Sequence, residues 1–195
     1  MTRYDARSAL VVVDVQNDFA DPAGSLYVNG GEQTVPVILE EITEAKAAGA
    51  LVVYSQDWHP PTTPHFQKDG GVWPVHCVQD TWGAEFHPQL HVGDDVVIRK
   101  GADGGDGYSA FSVRDPLSGI TLDTELQHIL RDHTIERIVV CGLATDYCVV
   151  ETVVDARTLG FEVEVVAAGI RAVDLAPGAG DLAIARMRDA GAEVA

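Results

Sequence analysis

Three residues interrupt the apolar runs of this chain with reactive or charged groups, and a thiol waits beyond a fourth run. Asp14 breaks Leu10-Val11-Val12-Val13-Asp14-Val15, Asp57 follows the run at 51–56, and Lys100 follows the run at 95–99. Gly142-Leu143-Ala144-Thr145 leads from the run at 137–142 toward Cys148. A carboxylate or ammonium in an apolar environment is costly unless it is paired. An acid, an ammonium and a thiol brought to one place would make a nucleophile with its own general base and charge partner. Thr145 is a candidate N-cap, which puts Cys148 in the first turn of a helix. There the partial positive charge lowers a thiol pKa, and free amides can hold an oxyanion formed at an attacked carbonyl. The plainer reading is a structural Asp14–Lys100 ion pair beside a core cysteine, and composition does not separate the two. Cys77 and Cys141 fit the core reading better.

A second constellation begins at Asp57-Trp58-His59 and continues with His65 and His76. Asp57 and His59 point to the same side of an extended chain, because strand side chains repeat with period two. One carboxylate with two or three imidazoles suits Zn, Fe or Mn better than an all-oxygen Mg or Ca site. The alternative is a polar loop whose histidines make ordinary hydrogen bonds, and the spacing does not choose between them. These residues open the segment 58–94, which holds all three tryptophans, five of the seven histidines and five of the nine prolines. Unstructured loops longer than about 12–15 residues are uncommon and usually functional, so this one reads as a formed pocket wall. The stretch 101–107 (GADGGDG) lacks the Lys-Ser/Thr of a phosphate loop, and its aspartates would repel phosphate. It reads as a flexible turn that presents Tyr108-Ser109-Ala110-Phe111.

The elements that must position these groups alternate along the chain. Strands are predicted at 8–15, 51–56, 95–99, 137–142 and 162–167, and helices at 35–48, 122–132, 145–159 and 180–190. Nearly continuous apolar strands interleaved with helices predict an α/β fold of three layers, α/β/α. Its central sheet is mainly parallel, with six strands if a short one is counted at Val194-Ala195. Ligands in open parallel sheets sit beyond the carboxyl ends of the strands, where Asp14, Asp57, Lys100 and the turn at 142–145 fall. No repeat, linker or low-complexity stretch divides residues 1–195, which are expected to form a single domain.

Composition narrows the partners. The chain has 195 residues, 46% of them hydrophobic and 22% charged, enough to bury about 70% of its unfolded surface. Thirteen Lys and Arg against thirty Asp and Glu give a net charge of −17. Nucleic acid or an anionic membrane would repel such a chain, and a small molecule is the expected ligand. The longest apolar run, 47–54, has eight residues against the ~20 needed to span a bilayer. Met1-Thr2-Arg3-Tyr4-Asp5 has no basic-then-apolar signal pattern, and three cysteines make a poor disulfide framework. A cytoplasmic location with reduced thiols is the expectation, and homo-oligomerisation stays open.

Six motifs, in order over nearly the whole chain, resemble the nicotinamidases, cysteine amidohydrolases of the isochorismatase-like superfamily. They are Asp14-Val15-Gln16-Asn17-Asp18-Phe19, Asp57-Trp58-His59, Trp73-Pro74-Val75-His76-Cys77, Lys100-Gly101, Tyr108-Ser109-Ala110-Phe111 and Ala144-Thr145-Asp146-Tyr147-Cys148-Val149. The resemblance implies a triad of Asp14, Lys100 and Cys148, working through a thioester. It also implies an oxyanion hole from the backbone N–H groups of Ala144 and Cys148, with a cis peptide at Leu143–Ala144. Family metal ligands match Asp57, His59 and His76, with His65 as an additional loop histidine. One divalent ion (Zn, Fe or Mn) would then meet the pyridine nitrogen of nicotinamide, with Phe19 and Trp73 flanking the ring and Tyr108 nearby. The implied reaction is hydrolysis of nicotinamide in NAD salvage, with pyrazinamide as a further substrate. Two rivals remain at this point. Carbamoyl or ureido amidohydrolases of the same superfamily keep the triad without needing the metal group, and a non-catalytic metal-binding protein could share the fold.

Overall fold

The computed structural model describes residues 3–195. In chain order its elements are β1 (Ser8–Val13), α1 (Asn17–Ala20), α2 (Val35–Ala47), β2 (Leu51–Asp57), β3 (Val96–Lys100), β4 (Ser112–Arg114), β5 (Thr121–Asp123), α3 (Leu126–Asp132), β6 (Arg137–Leu143), α4 (Val150–Thr158), β7 (Glu162–Arg171), α5 (Ala179–Asp189) and β8 (Glu193–Val194). Every side chain of β1 is buried, as a run of five consecutive apolar residues requires when both faces of a sheet are covered. Alternate residues serve opposite layers. Ala9, Val11 and Val13 join the apolar cluster that takes in α3, α4 and α5. Leu10 and Val12 join the cluster built on α2 and Tyr54.

The main sheet has six strands in the order β3-β2-β1-β6-β7-β8, and all its pairings are parallel. Two register pairs align the strand ends. Val13 pairs with Gly142 and Asp57 pairs with Lys100, so the carboxyl ends of β1, β2, β3 and β6 lie together. Gly142 is a requirement of that register. Its φ is +118°, and a Cβ there would stand 2.1 Å from the Val13 carbonyl oxygen.

Several boundaries differ from the sequence reading, each for a local reason. β1 stops at Val13 rather than 15, because Asp14 takes a left-handed φ of 49° that ends the ladder. β2 and β3 run one residue further than 51–56 and 95–99, since Asp57 and Lys100 still pair. The helix expected at 122–132 begins at Leu126. Thr124 holds the chain before it, its hydroxyl donating to the Ala110 carbonyl at 2.7 Å and accepting the Leu126 N–H at 3.3 Å. Leu122 instead falls in β5, which forms a separate two-stranded antiparallel sheet with β4. β7 reaches Arg171 rather than 167, because an irregularity between Val140 and Gly142 lets Ile170 and Arg171 go on pairing with β6. The last helix, expected at 180–190, is Ala179–Asp189, shifted by one residue.

No helix among the described residues is long and apolar enough to cross a membrane. The three cysteines are free thiols.

Candidate active site

The strand ends bring Asp14, Lys100 and Cys148 together. Lys100 Nζ donates to Asp14 Oδ2 at 2.7 Å and to the Tyr108 carbonyl at 2.9 Å, and stands 3.5 Å from Cys148 Sγ. Ser55 Oγ donates to the other Asp14 oxygen at 2.6 Å. Asp14, Asp57 and Cys148 each place a ligand-type atom within 4.8 Å of the others. Lys100 also meets Asp57 Oδ1 at 3.0 Å, a charge contact without hydrogen-bond alignment, since that oxygen has no bonding partner. One buried ammonium therefore serves two buried carboxylates.

That arrangement sets the protonation states. Burial would strip the Lys100 proton, but Asp14 and Asp57 outweigh it and hold the ammonium well above its ordinary range. Burial would also raise the Asp57 carboxyl, yet Lys100, His59 and His76 hold it below the usual carboxylate range. For Asp14, burial wins over Lys100 and Ser55, and its pKa is raised. The Cys148 thiol is pushed up by burial and the two carboxylates, with Lys100 opposing. A thiol pKa lowered by a helix N-terminus is thus not what the fold delivers. Cys148 lies in a π-helical turn, Thr145–Val149, before α4 begins, and not in the first turn of one helix over 145–159. Thr145 is no N-cap either. Ala144 occupies that position with no side-chain cap, its carbonyl accepting the N–H groups of Tyr147 and Val149. A neutral thiol beside a carboxylate of raised pKa is a nucleophile poised to hand its proton to that carboxylate.

The Leu143–Ala144 peptide is cis. Among the described residues, neither the Ala144 N–H nor the Cys148 N–H donates to a backbone acceptor outside the turn.

His59, His65 and His76 each place a ring nitrogen within 4.8 Å of the others. Asp57 joins them from the side: its Oδ2 lies 3.7 Å from His59 Nε2 and 3.9 Å from His76 Nε2. Asp57 therefore stands between the imidazoles and Lys100, touching both groups. His76 Nδ1 is 2.8 Å from the Pro74 carbonyl, which can only accept, so Nδ1 carries the proton and Nε2 keeps its lone pair. Both nitrogens of His59 and one oxygen of Asp57 are buried without a hydrogen-bond partner. Buried polar atoms are rarely left so. Unsatisfied imidazole lone pairs beside a surplus carboxylate suit a divalent cation of the Zn, Fe or Mn kind.

Phe19, Trp73 and Tyr108 line a cavity whose walls also include Cys148, Ala144, Asp57, His65 and His76. His59 is not part of that lining. Trp73 Nε1 donates to Tyr108 Oη at 3.0 Å, fixing two of the rings against each other. The segment 58–94 is anchored beneath them. Gln16 donates to the carbonyls of Asp57 and Ala84 and accepts the Asp57 N–H, while Asp18 accepts the Cys77 N–H at 2.7 Å.

The sequence reading missed Tyr147, which lines the cavity with its ring 4.9 Å from Trp73 and 5.4 Å from Tyr108. Its place next to Cys148 was the available signal. Leu26, Val28 and Val173 also line the cavity, and nothing in the local pattern marks them.

Residues 8–195 match the family model described as the isochorismatase domain. The nicotinamidase of Escherichia coli (strain K12) is 40% identical over 201 residues, covering 94% of this chain and 92% of that one. Among solved structures, the pyrazinamidase of Pyrococcus horikoshii in complex with zinc superposes with a TM-score of 0.86 at 37% identity, over 97% of this chain and 98% of that one. PnC1 from L. infantum in complex with nicotinate gives a TM-score of 0.88 at 36% identity, over 98% and 94%.

Proposed function

The chain belongs to the isochorismatase family, and from that premise we propose that it hydrolyses nicotinamide to nicotinate and ammonia, in NAD salvage, and accepts pyrazinamide as well. One observation carries the reading: a single aromatic-walled cavity is lined both by Cys148, at the buried Asp14–Lys100 pair, and by His65 and His76 of the imidazole cluster. The similarity to the Escherichia coli nicotinamidase supports it.

The chemistry follows from the positions. Asp14 takes the Cys148 proton and the thiolate attacks the carboxamide carbon, giving a tetrahedral oxyanion at the N–H groups of Ala144 and Cys148. Asp14 returns the proton to the departing nitrogen, the C–N bond breaks, and ammonia leaves a thioester on Cys148. Asp14 then takes a proton from water, whose oxygen attacks the thioester carbon. The C–S bond breaks, Asp14 returns that proton to the sulfur and so restores the thiol, and the acid leaves and ionises to nicotinate. Lys100 stays an ammonium throughout, holding Asp14 in place and offsetting the negative charge that moves between sulfur and carboxylate. Phe19 and Trp73 flank the ring, with Tyr108 and Tyr147 completing the wall. Asp57, His59, His65 and His76 would hold one divalent ion, which when bound supplies a Lewis-acid partner for the pyridine nitrogen.

Ammonia release tests this reading, measured with protein of known metal content on nicotinamide and on a simple ureido amide. Release from nicotinamide alone is the expected result. Release from the ureido compound alone would move the same triad chemistry to a sister activity, and release from neither would overturn the substrate assignment.

A further inference from the structure

The segment 101–107 joins Lys100 to Tyr108, and its Gly/Asp pattern gave it no task beyond a flexible turn. In the fold it runs along the imidazole cluster. At Gly101 a Cβ would stand 2.6 Å from His59 Nδ1, so only glycine allows the segment to lie this close. Thr63 Oγ1 donates to the Gly104 carbonyl at 3.4 Å. Asp106 exchanges backbone hydrogen bonds with Arg114 in both directions, which fixes the far end of the segment to β4. From that fixed point Asp106 Oδ1 reaches His65 Nδ1 at 2.7 Å.

The contact has a chemical consequence. A neutral imidazole has one N–H and one lone pair, and a carboxylate only accepts. Its bond to Asp106 therefore puts the His65 proton on Nδ1 and leaves the lone pair on Nε2. His76 reaches the same state through the Pro74 carbonyl. Among the described residues, His65 is the one member of the cluster whose tautomer is set by a side chain, and hence the one that substitution can reach.

We propose that Asp106 is a positioning residue for the divalent ion: by holding the His65 proton on Nδ1 it reserves the Nε2 lone pair of His65 for the ion. This rests on reading the imidazole cluster as a metal site. Asp106 Oδ1 also accepts the Gly107 N–H at 2.8 Å, so a purely local turn-forming role is the competing explanation.

Zinc affinity, measured by competition with a chromophoric chelator, separates the two. Asp106→Ala should weaken zinc binding about ten- to a hundredfold, the usual cost of losing a hydrogen-bond partner behind a ligating histidine. Asp106→Asn keeps a carbonyl acceptor for the Nδ1 proton and should recover most of that loss. In a His65→Ala background, adding Asp106→Ala should change the affinity no further. An affinity within twofold of wild type in Asp106→Ala would overturn the proposal, as would an equal loss in the His65→Ala background. A wild-type protein that binds no zinc would overturn it together with the metal part of the functional reading. Nicotinamide hydrolysis with a zinc affinity indifferent to Asp106 would overturn this inference alone.

Discussion

Asp14 and Lys100 lie 86 residues apart in sequence and meet at 2.7 Å, neither side chain more than 1% exposed. The pair exists because β3 and β1 both stop where β2 separates them, so the two side chains cross over the end of the middle strand.

The first prediction concerns that pair. Lys100→Met leaves the carboxylates of Asp14 and Asp57 buried without their ammonium. Removing one partner of a buried pair typically costs about 3–5 kcal/mol, so the urea midpoint should drop sharply and ammonia release should vanish. A midpoint equal to wild type would show that the pair is not what holds these carboxylates in the core.

Much of the site was legible because each of its charged members interrupts an apolar run. Asp14, Asp57 and Lys100 stand out against valines, and a parallel sheet carries strand ends to one edge. Less visible were features that depend on three-dimensional register. The β4–β5 sheet was hidden because the three residues of β5 are all exposed and carry no alternating pattern. The π-helical turn was hidden because 145–159 has one continuous helical pattern. The direction of the Cys148 shift depends on how many carboxylates share Lys100, and a sequence does not count them. Asp106 looked like one more acid in a Gly/Asp turn until its distance to His65 was known.

A second prediction comes from His76. Burial pushes its imidazole down to about 4, against the pull of Asp57, while an unfolded histidine titrates near 6.5. Between those values the unfolded chain binds a proton that the native state does not. The contribution of His76 is therefore complete above about pH 6.5 and is lost as pH falls toward 4, amounting to about 3 kcal/mol. Asp57, held low, acts in the same direction but below the ordinary carboxylate range. Asp14, held high, acts the opposite way, so the metal-free protein is compared with His76→Asn: its urea midpoint should fall further between pH 7 and pH 5 than that of the variant, and equal falls would contradict the buried, neutral state of His76.

The third concerns Gly142, where a Cβ would strike the Val13 carbonyl. Gly142→Ala forces β1 and β6 apart where they deliver Asp14 and Ala144. A loss of at least about 2 kcal/mol is expected from a left-handed position with no room for a methyl group, accompanied by loss of turnover. Wild-type stability in denaturant would show that the register tolerates a side chain there.

The fourth concerns the metal. Chelation should lower ammonia release from nicotinamide, and adding back Zn, Fe or Mn should restore it. Full activity in a sample shown by elemental analysis to be metal-free would take the ion out of the reaction.

In the proposed mechanism the Cys148 sulfur forms the bond to the substrate carbon. The most direct test of that step is ammonia release from nicotinamide by Cys148→Ala, compared with wild type at equal metal content, with circular dichroism to show that the fold is kept. Turnover at background in a folded protein is the expected result. A folded variant that releases ammonia within tenfold of the wild-type rate would contradict it.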